Sequence, residues 1–159
     1  MTWSAPTISE VNELLRKSTT VAIVGISNKE DRASYQVAKW LQEHSHFNLY
    51  FVNPVIETVL GAKTYPSLAE IPVEIDIVDV FRKPSDIPGV LDEAIAIKAK
   101  TFWMQLGISD DASAERGVAA GLNVVQDKCI KIEHARFAGG LNLAGFNTGV
   151  ISSKRNKSI

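Results

Sequence analysis

Gly25, Ser27, Arg32 and Ser34 sit close together in the sequence and carry the chemistry of an anion site. Hydroxyl groups donate hydrogen bonds to phosphate oxygens, and a guanidinium grips them in a bidentate fork. The apolar run Val21-Ala-Ile-Val24 precedes the glycine, and a helical pattern from Tyr35 to His44 follows the polar loop. A helix start offers unpaired backbone N–H groups and the positive end of a dipole, so strand, glycine turn and helix in that order form an entrance for phosphate. The spacing departs from the dinucleotide fingerprint, which needs glycines at 27 and 30, where Ser27 and Glu30 stand. No Gly-Lys-Ser/Thr occurs, so the turn is not a Walker loop either.

Other residues could face the same entrance. Asn53-Pro54-Val55 ends a second apolar run at the point where a NAD-binding domain carries an acid for the ribose, and no acid occurs there before Glu57. Phe81-Arg82-Lys83-Pro84 sets two cations after a third run, and Gln105-Leu106-Gly107 closes a fourth with an amide and a bare backbone. Cys129 follows a fifth. Its nearest histidine in sequence, His134, is out of register for a helical i,i+4 nucleophile–base pair, which argues against a Cys/His hydrolase. Asp127 and Glu133 read more readily as helix-start charges than as an acid/base pair. No cluster has metal-ligand spacing.

The elements that must hold these residues alternate. A short amphipathic helix over 7–18 is capped by Thr7 or Ser9 and buries Ile8, Val11, Leu14 and Leu15. Strands follow at Val21–Ile26, Asn48–Asn53, Ile75–Phe81, Thr101–Leu106 and Leu122–Gln126, with helices from about Ser34, Pro88 and Asp110, and a short one ending at Phe137. Asp76 and Asp79 break the third strand's pattern, so at least one belongs near an edge or an end. Residues 55–74 read as a turn-rich connection with one helical turn capped by Ser67, and Gly121 fits a helix C-terminus. The stretch from Gly139 to Gly149 reads as an ordered tail, and Ser152–Ile159 as frayed. Alternation of this kind predicts a three-layer Rossmann-like α/β fold, a five-stranded mostly parallel sheet with helices on both faces, in one domain over 1–159. Ligands of such folds bind at the carboxyl ends of the strands, at the switch point.

Composition narrows the classes. The chain has 159 residues, enough to bury about 68–70% of its unfolded surface in one core. A net charge of −1 gives no footprint for nucleic acid or a membrane surface. One cysteine excludes an internal disulfide. No apolar run approaches the roughly 20 residues that span a bilayer, and Met1-Thr-Trp-Ser-Ala-Pro6 has no leader pattern, so a cytoplasmic protein is expected.

Gly25-Ile-Ser27, Arg32-Ala-Ser-Tyr35, Val52-Asn-Pro54, Gly61-Ala-Lys-Thr-Tyr-Pro66, Asp79-Val-Phe-Arg82, Trp103-Met-Gln-Leu-Gly107 and Asp127-Lys-Cys-Ile130 with Glu133 and Arg136 carry a family signal. In order over about 20–137, these blocks resemble the small stand-alone CoA-binding proteins, which are similar to the N-terminal CoA-binding domain of the succinyl-CoA synthetase alpha subunit. The resemblance implies a Rossmann-like fold that holds coenzyme A or an acyl-CoA. It implies Gly25, Ser27, Arg32 and Ser34 at the pyrophosphate and Asn53, Pro54 and Val55 beside the adenosine or its phosphates. Phe81 and Arg82 would line the cleft, with Gln105 and Gly107 on its far side. Cys129 falls where the synthetase has Asn-Cys-Pro-Gly, of which the cysteine alone remains. The synthetase's phosphorylated histidine lies in a second domain that this chain does not contain.

The expected partner is therefore a small-molecule cofactor, with no nucleic acid and no membrane, and a homodimer left open. No catalysis is assignable, since no nucleophile–base pair or metal set appears. The alternative is an NAD(P)-binding oxidoreductase or a redox-sensing domain, which the missing glycines and the missing strand-end acid oppose.

Overall fold

The computed structural model describes residues 2–138. These residues divide into two compact units, 2–5 with 18–128, and 6–17 with 129–138.

The first unit is an α/β Rossmann-like layer built on one seven-stranded sheet. Its strands are β1 (Thr20–Val24), β2 (Asn48–Val52), β3 (Thr58–Val59), β4 (Ala62–Tyr65), β5 (Ile77–Val80), β6 (Thr101–Met104) and β7 (Asn123–Val125). They lie in the order β3-β4-β2-β1-β5-β6-β7. All pairings are parallel except β3 with β4. β1, β5 and β6 are buried almost throughout, as strands covered on both faces must be.

The five strands expected from the sequence are all present. The expected count is corrected by the hairpin β3–β4, which lies inside the turn-rich connection. Its turn residues, Leu60 and Gly61, have φ of 51° and 78°. Positive φ at both central positions is the requirement of the tight hairpin turn that matches strand twist. Leucine at the first of them is not the usual signal, and β3 is two residues long, too short for a recognisable strand pattern.

Chain direction fixes the helix layers. From β1 the chain moves through α2 (Ala33–His44) to β2, and from β5 through α3 (Ile87–Ala96) to β6, in opposite directions along the sheet. Right-handed crossovers then place α2 and α3 on opposite faces. Packing agrees. Val90, Leu91 and Ala94 of α3 and Ala114 of α4 (Asp111–Ala119) share a core with Ala22, Val24, Val78, Val80, Phe102 and Met104. The buried Val37, Ala38 and Leu41 of α2 are outside that core. The helix expected from Pro88 to Ala99 ends at Ala96, and Lys98 takes a left-handed φ of 59°. Gly121 ends α4 as expected, with φ 94°.

β5 carries two aspartates with opposite fates. Asp76, just before the strand, accepts the N–H groups of Thr19 at 2.7 Å and Thr20 at 3.2 Å and lies 3.6 Å from the Lys100 ammonium. Burial pushes its carboxyl up, and these partners together outweigh it, holding Asp76 below the ordinary aspartate range. Asp79, in mid-strand, is fully buried, and neither carboxylate oxygen has a hydrogen-bond partner. Burial therefore raises its pKa well above the ordinary value. At the outer strand β7, the Val124 carbonyl accepts the Trp3 indole N–H at 2.8 Å.

The second unit packs α1 (Ile8–Lys17) on α5 (Ile130–Phe137). Thr7 caps α1. Its hydroxyl accepts the Glu10 N–H at 3.1 Å while the Glu10 carboxylate accepts the Thr7 N–H at 2.8 Å, a reciprocal capping box. Val11 and Leu15 are the buried face. Ile8, expected inside, is exposed because it sits in the first turn, ahead of that face. The tail expected over Gly139–Gly149 lies outside the described residues.

Candidate functional site

Reversal of direction between β1 and β5 makes the switch point. Gly25 follows β1 there with φ 89°. A Cβ on Gly25 would stand 2.4 Å from the Phe81 carbonyl oxygen and 2.8 Å from Arg82 Cδ. Backbone cannot move away as a flexible side chain would, so this position admits glycine alone. The close approach draws the turn after β1 against Phe81 and Arg82.

Beyond Gly25 the loop is held by its serines. The Ser27 N–H donates to Ser34 Oγ at 3.0 Å, and the Lys29 N–H donates to Ser27 Oγ at 3.0 Å. Both hydroxyls thus accept from the backbone and retain an O–H to donate. Ser34 is buried in the first turn of α2, and Ser27 is half-buried. Arg32 occupies the N-cap with extended backbone (φ −84°, ψ 144°) and makes no side-chain cap. No acidic residue stands in the first turn of α2. This twelve-residue helix therefore starts with its dipole uncompensated by its own side chains. Arg32 is exposed and, among the described residues, forms no ion pair.

Asn53 is a brace. Its Nδ2 donates to the Ile26 carbonyl at 2.8 Å, and its Oδ1 accepts the N–H groups of Val55 at 2.7 Å and Ile56 at 3.2 Å. The first bond ties the end of β2 to the loop after β1, and the others form an Asx turn that presents Pro54 and Val55 to solvent. An acid at this position could not donate the bond to Ile26.

Arg82 is half-buried and donates from Nε at 3.2 Å and Nη2 at 2.9 Å to Asp86 Oδ2. Its remaining N–H groups are directed by that anchor. The Gln105 N–H reaches the Val80 carbonyl at 3.3 Å, and its side chain is buried. Gly107 has φ 86° and donates its N–H to Asp127 Oδ1 at 2.6 Å. Asp127 itself holds a left-handed φ of 59°. Its N–H returns to the Ile108 carbonyl at 3.1 Å. Sequence reading passed over Asp127 as a loop organiser. The available signal was that aspartate tolerates left-handed backbone better than most residues.

The first unit therefore brings Gly25, Ser27, Arg32, Ser34, Asn53, Pro54, Val55, Phe81, Arg82, Gln105 and Gly107 to the carboxyl ends of its strands. Cys129 belongs to the second unit. It is half-buried at the N-cap of α5, and its carbonyl accepts the Glu133 N–H at 3.0 Å. Glu133 pairs with Arg136 at 3.1 Å rather than with an acid/base partner. No metal-binding cluster occurs among the described residues, and no helix among them is long and apolar enough to cross a membrane.

Comparison with known proteins defines the class. The chain belongs to the family described as CoA binding domain, whose model matches residues 19–135. An uncharacterized protein of Bacillus subtilis, YneT, is 38% identical over 130 residues, 82% of this chain and 96% of that protein. A solved structure of a hypothetical protein from Pyrococcus horikoshii has a TM-score of 0.80 at 36% identity, covering 87% of this chain and all of that one (100%). The alpha subunit of an ADP-forming acetate–CoA ligase II from Pyrococcus furiosus is 40% identical over 57 residues, 36% of this chain and 12% of that protein. The domain is thus similar to the CoA-binding part of succinyl-CoA synthetase-like ligases, with the chain spanning a small part of such an enzyme.

Proposed function

We propose that this chain binds coenzyme A or an acyl-CoA at the switch point and performs no chemistry of its own. One observation carries the reading: α2 opens uncapped directly after a glycine turn whose serine hydroxyls keep their O–H groups, in a member of a CoA-binding family. In this reading Ser27, Ser34 and the start of α2 take the pyrophosphate. Arg32 adds a charged fork, Pro54 and Val55 flank the adenosine, and Phe81, Arg82, Gln105 and Gly107 line the way for the pantetheine arm. Asn53 and Gly25 shape the site from beneath. Cys129 receives no catalytic role, since among the described residues no base pairs with it at the start of α5.

A nicotinamide cofactor is not favoured. The glycine pattern is absent, and the amide at the end of β2 is committed to bracing two loops. Calorimetric titration with CoA, acetyl-CoA, NAD and NADP tests the proposal. Micromolar binding of CoA or acetyl-CoA with silent nicotinamides is the expected result; tight NAD binding with weak CoA binding overturns it.

A further inference from the structure

Val55 and Leu106 are large apolar side chains exposed at the carboxyl ends of the strands, at 84% and 63%. A single exposed leucine is ordinary. The frame around Leu106 is not. Gly107 and Asp127, facing each other across the loops after β6 and β7, both have left-handed backbone, with φ of 86° and 59°. The Gly107 N–H is bound to Asp127 Oδ1 at 2.6 Å, the Ile108 N–H to the Gln105 carbonyl at 2.8 Å, and the Asp110 N–H to Gln126 Oε1 at 2.7 Å. These bonds fasten the loop on both sides of Leu106 and hold the leucine side chain exposed.

Resting on the proposal that CoA is the ligand, we infer that Leu106 is the contact for the acyl group of a bound thioester, and that the site takes CoA esters of aliphatic acids. Position supports this. Strands lie about 4.8 Å apart, so the end of β2, with Val55, is one spacing from the phosphate entrance at β1, and the end of β6, with Leu106, is about 10 Å away on the other side. Coenzyme A has the same asymmetry: adenosine hangs directly on the pyrophosphate, and the sulfur ends the longer pantetheine arm. The nearer apolar residue suits the adenosine and the farther one the thioester end. Charge narrows the acyl group. On the loops after β6 and β7 the charged residues are Asp110, Asp111, Asp127 and Lys128, while the cations Arg82 and Lys83 belong to the loop after β5, where Arg82 is bound to Asp86. A dicarboxylic acyl group would bring a carboxylate into that acidic surround, whereas an alkyl chain covers exposed leucine.

Calorimetry with CoA, hexanoyl-CoA and succinyl-CoA, on the wild type, Leu106→Ala and Leu106→Asp, tests the inference. Hexanoyl-CoA is expected to bind the wild type about tenfold tighter than CoA, the scale of partial burial of one leucine side chain. Succinyl-CoA is expected to bind no tighter than CoA. Leu106→Asp should bring hexanoyl-CoA to the affinity of CoA and leave CoA itself unchanged, with Leu106→Ala between. Unchanged thermal unfolding of both variants verifies the fold. Equal binding of CoA and hexanoyl-CoA by the wild type, or equal weakening of all three ligands by Leu106→Asp, overturns the inference while CoA binding stands. Failure of every CoA species to bind overturns both readings.

Discussion

The two ends of the sheet treat their polar groups in opposite ways. At the amino ends of β1 and β5 the groups satisfy one another. Asp76 takes two backbone N–H groups, Thr20 Oγ1 donates to the Glu74 carbonyl at 2.8 Å, and the Asp76 N–H closes the circuit on Thr20 Oγ1 at 2.9 Å. At the carboxyl ends the backbone is braced as firmly, by Asn53, Ser34 and Asp127, but the outward groups are left unspent: hydroxyl protons, a helix start, an arginine and two apolar side chains. The difference teaches where to look for binding. Bracing is common to both ends; the open hydroxyl protons, the uncapped helix start and Arg32 lie at the carboxyl end.

Substitutions at the two ends should therefore separate stability from binding. The largest effect is expected from Gly25→Ala. It meets both a left-handed backbone and the Phe81 carbonyl, so it should destabilise by about 3 kcal/mol and abolish ligand binding together, read by urea unfolding and calorimetry. Next, Arg32→Ala should weaken CoA binding by about 1.5–3 kcal/mol, the scale of a charged hydrogen bond, with unfolding unchanged. Unchanged affinity would remove Arg32 from the site. Asp76→Ala is the mirror experiment. It should cost about 1–2 kcal/mol of stability by stranding the Thr19 and Thr20 N–H groups and leave CoA affinity as it was. Weakened binding there would break the distinction between the two ends.

Acid and base sharpen it further. Asp76 has a depressed pKa, so its contribution to stability is present above the unfolded value of about 3.9 and is lost as pH falls through the folded value. Asp79 has a raised pKa. The folded state holds its proton where the unfolded state has released it, so stability is full below about pH 3.9 and declines as pH rises through the folded value. Asp79→Asn should flatten that alkaline decline. The net gain at neutral pH is expected to be small, about 1 kcal/mol, because a buried amide also lacks partners there. Urea midpoints measured from pH 5 to pH 9 on the wild type and the variant test this; parallel curves would refute it.

Much of this was legible in the residues. The continuous apolar run ending in Gly25 marked a buried parallel strand, the β-branched and aromatic runs ending at Asn53, Phe81 and Leu106 marked its neighbours, and their carboxyl ends followed from topology. The family blocks singled out the same positions. What escaped was local and geometric. The Leu60-Gly61 turn has leucine where its type usually has asparagine, aspartate or glycine. The bracing by Asn53 and Asp127 depends on partners distant in sequence: Ile26 for the first and Gly107 for the second. Asp76 and Asp79 broke a strand pattern, which places at least one near an edge or an end, and Asp76 does stand just before β5; the complete burial of Asp79 without a partner comes from the packing of the whole sheet, which no local pattern encodes.

The Trp3 indole on Val124 has a consequence for assembly. A terminal strand normally offers its carbonyls to any passing extended chain, and a parallel sheet can grow by that route. Here the indole occupies one such acceptor on β7, while the opposite margin ends in a hairpin strand only two residues long. Neither margin is a good template for another strand. If two copies of the chain associate, they should do so through helices and loops, and fibril-like stacking should emerge first in a variant that has lost Trp3.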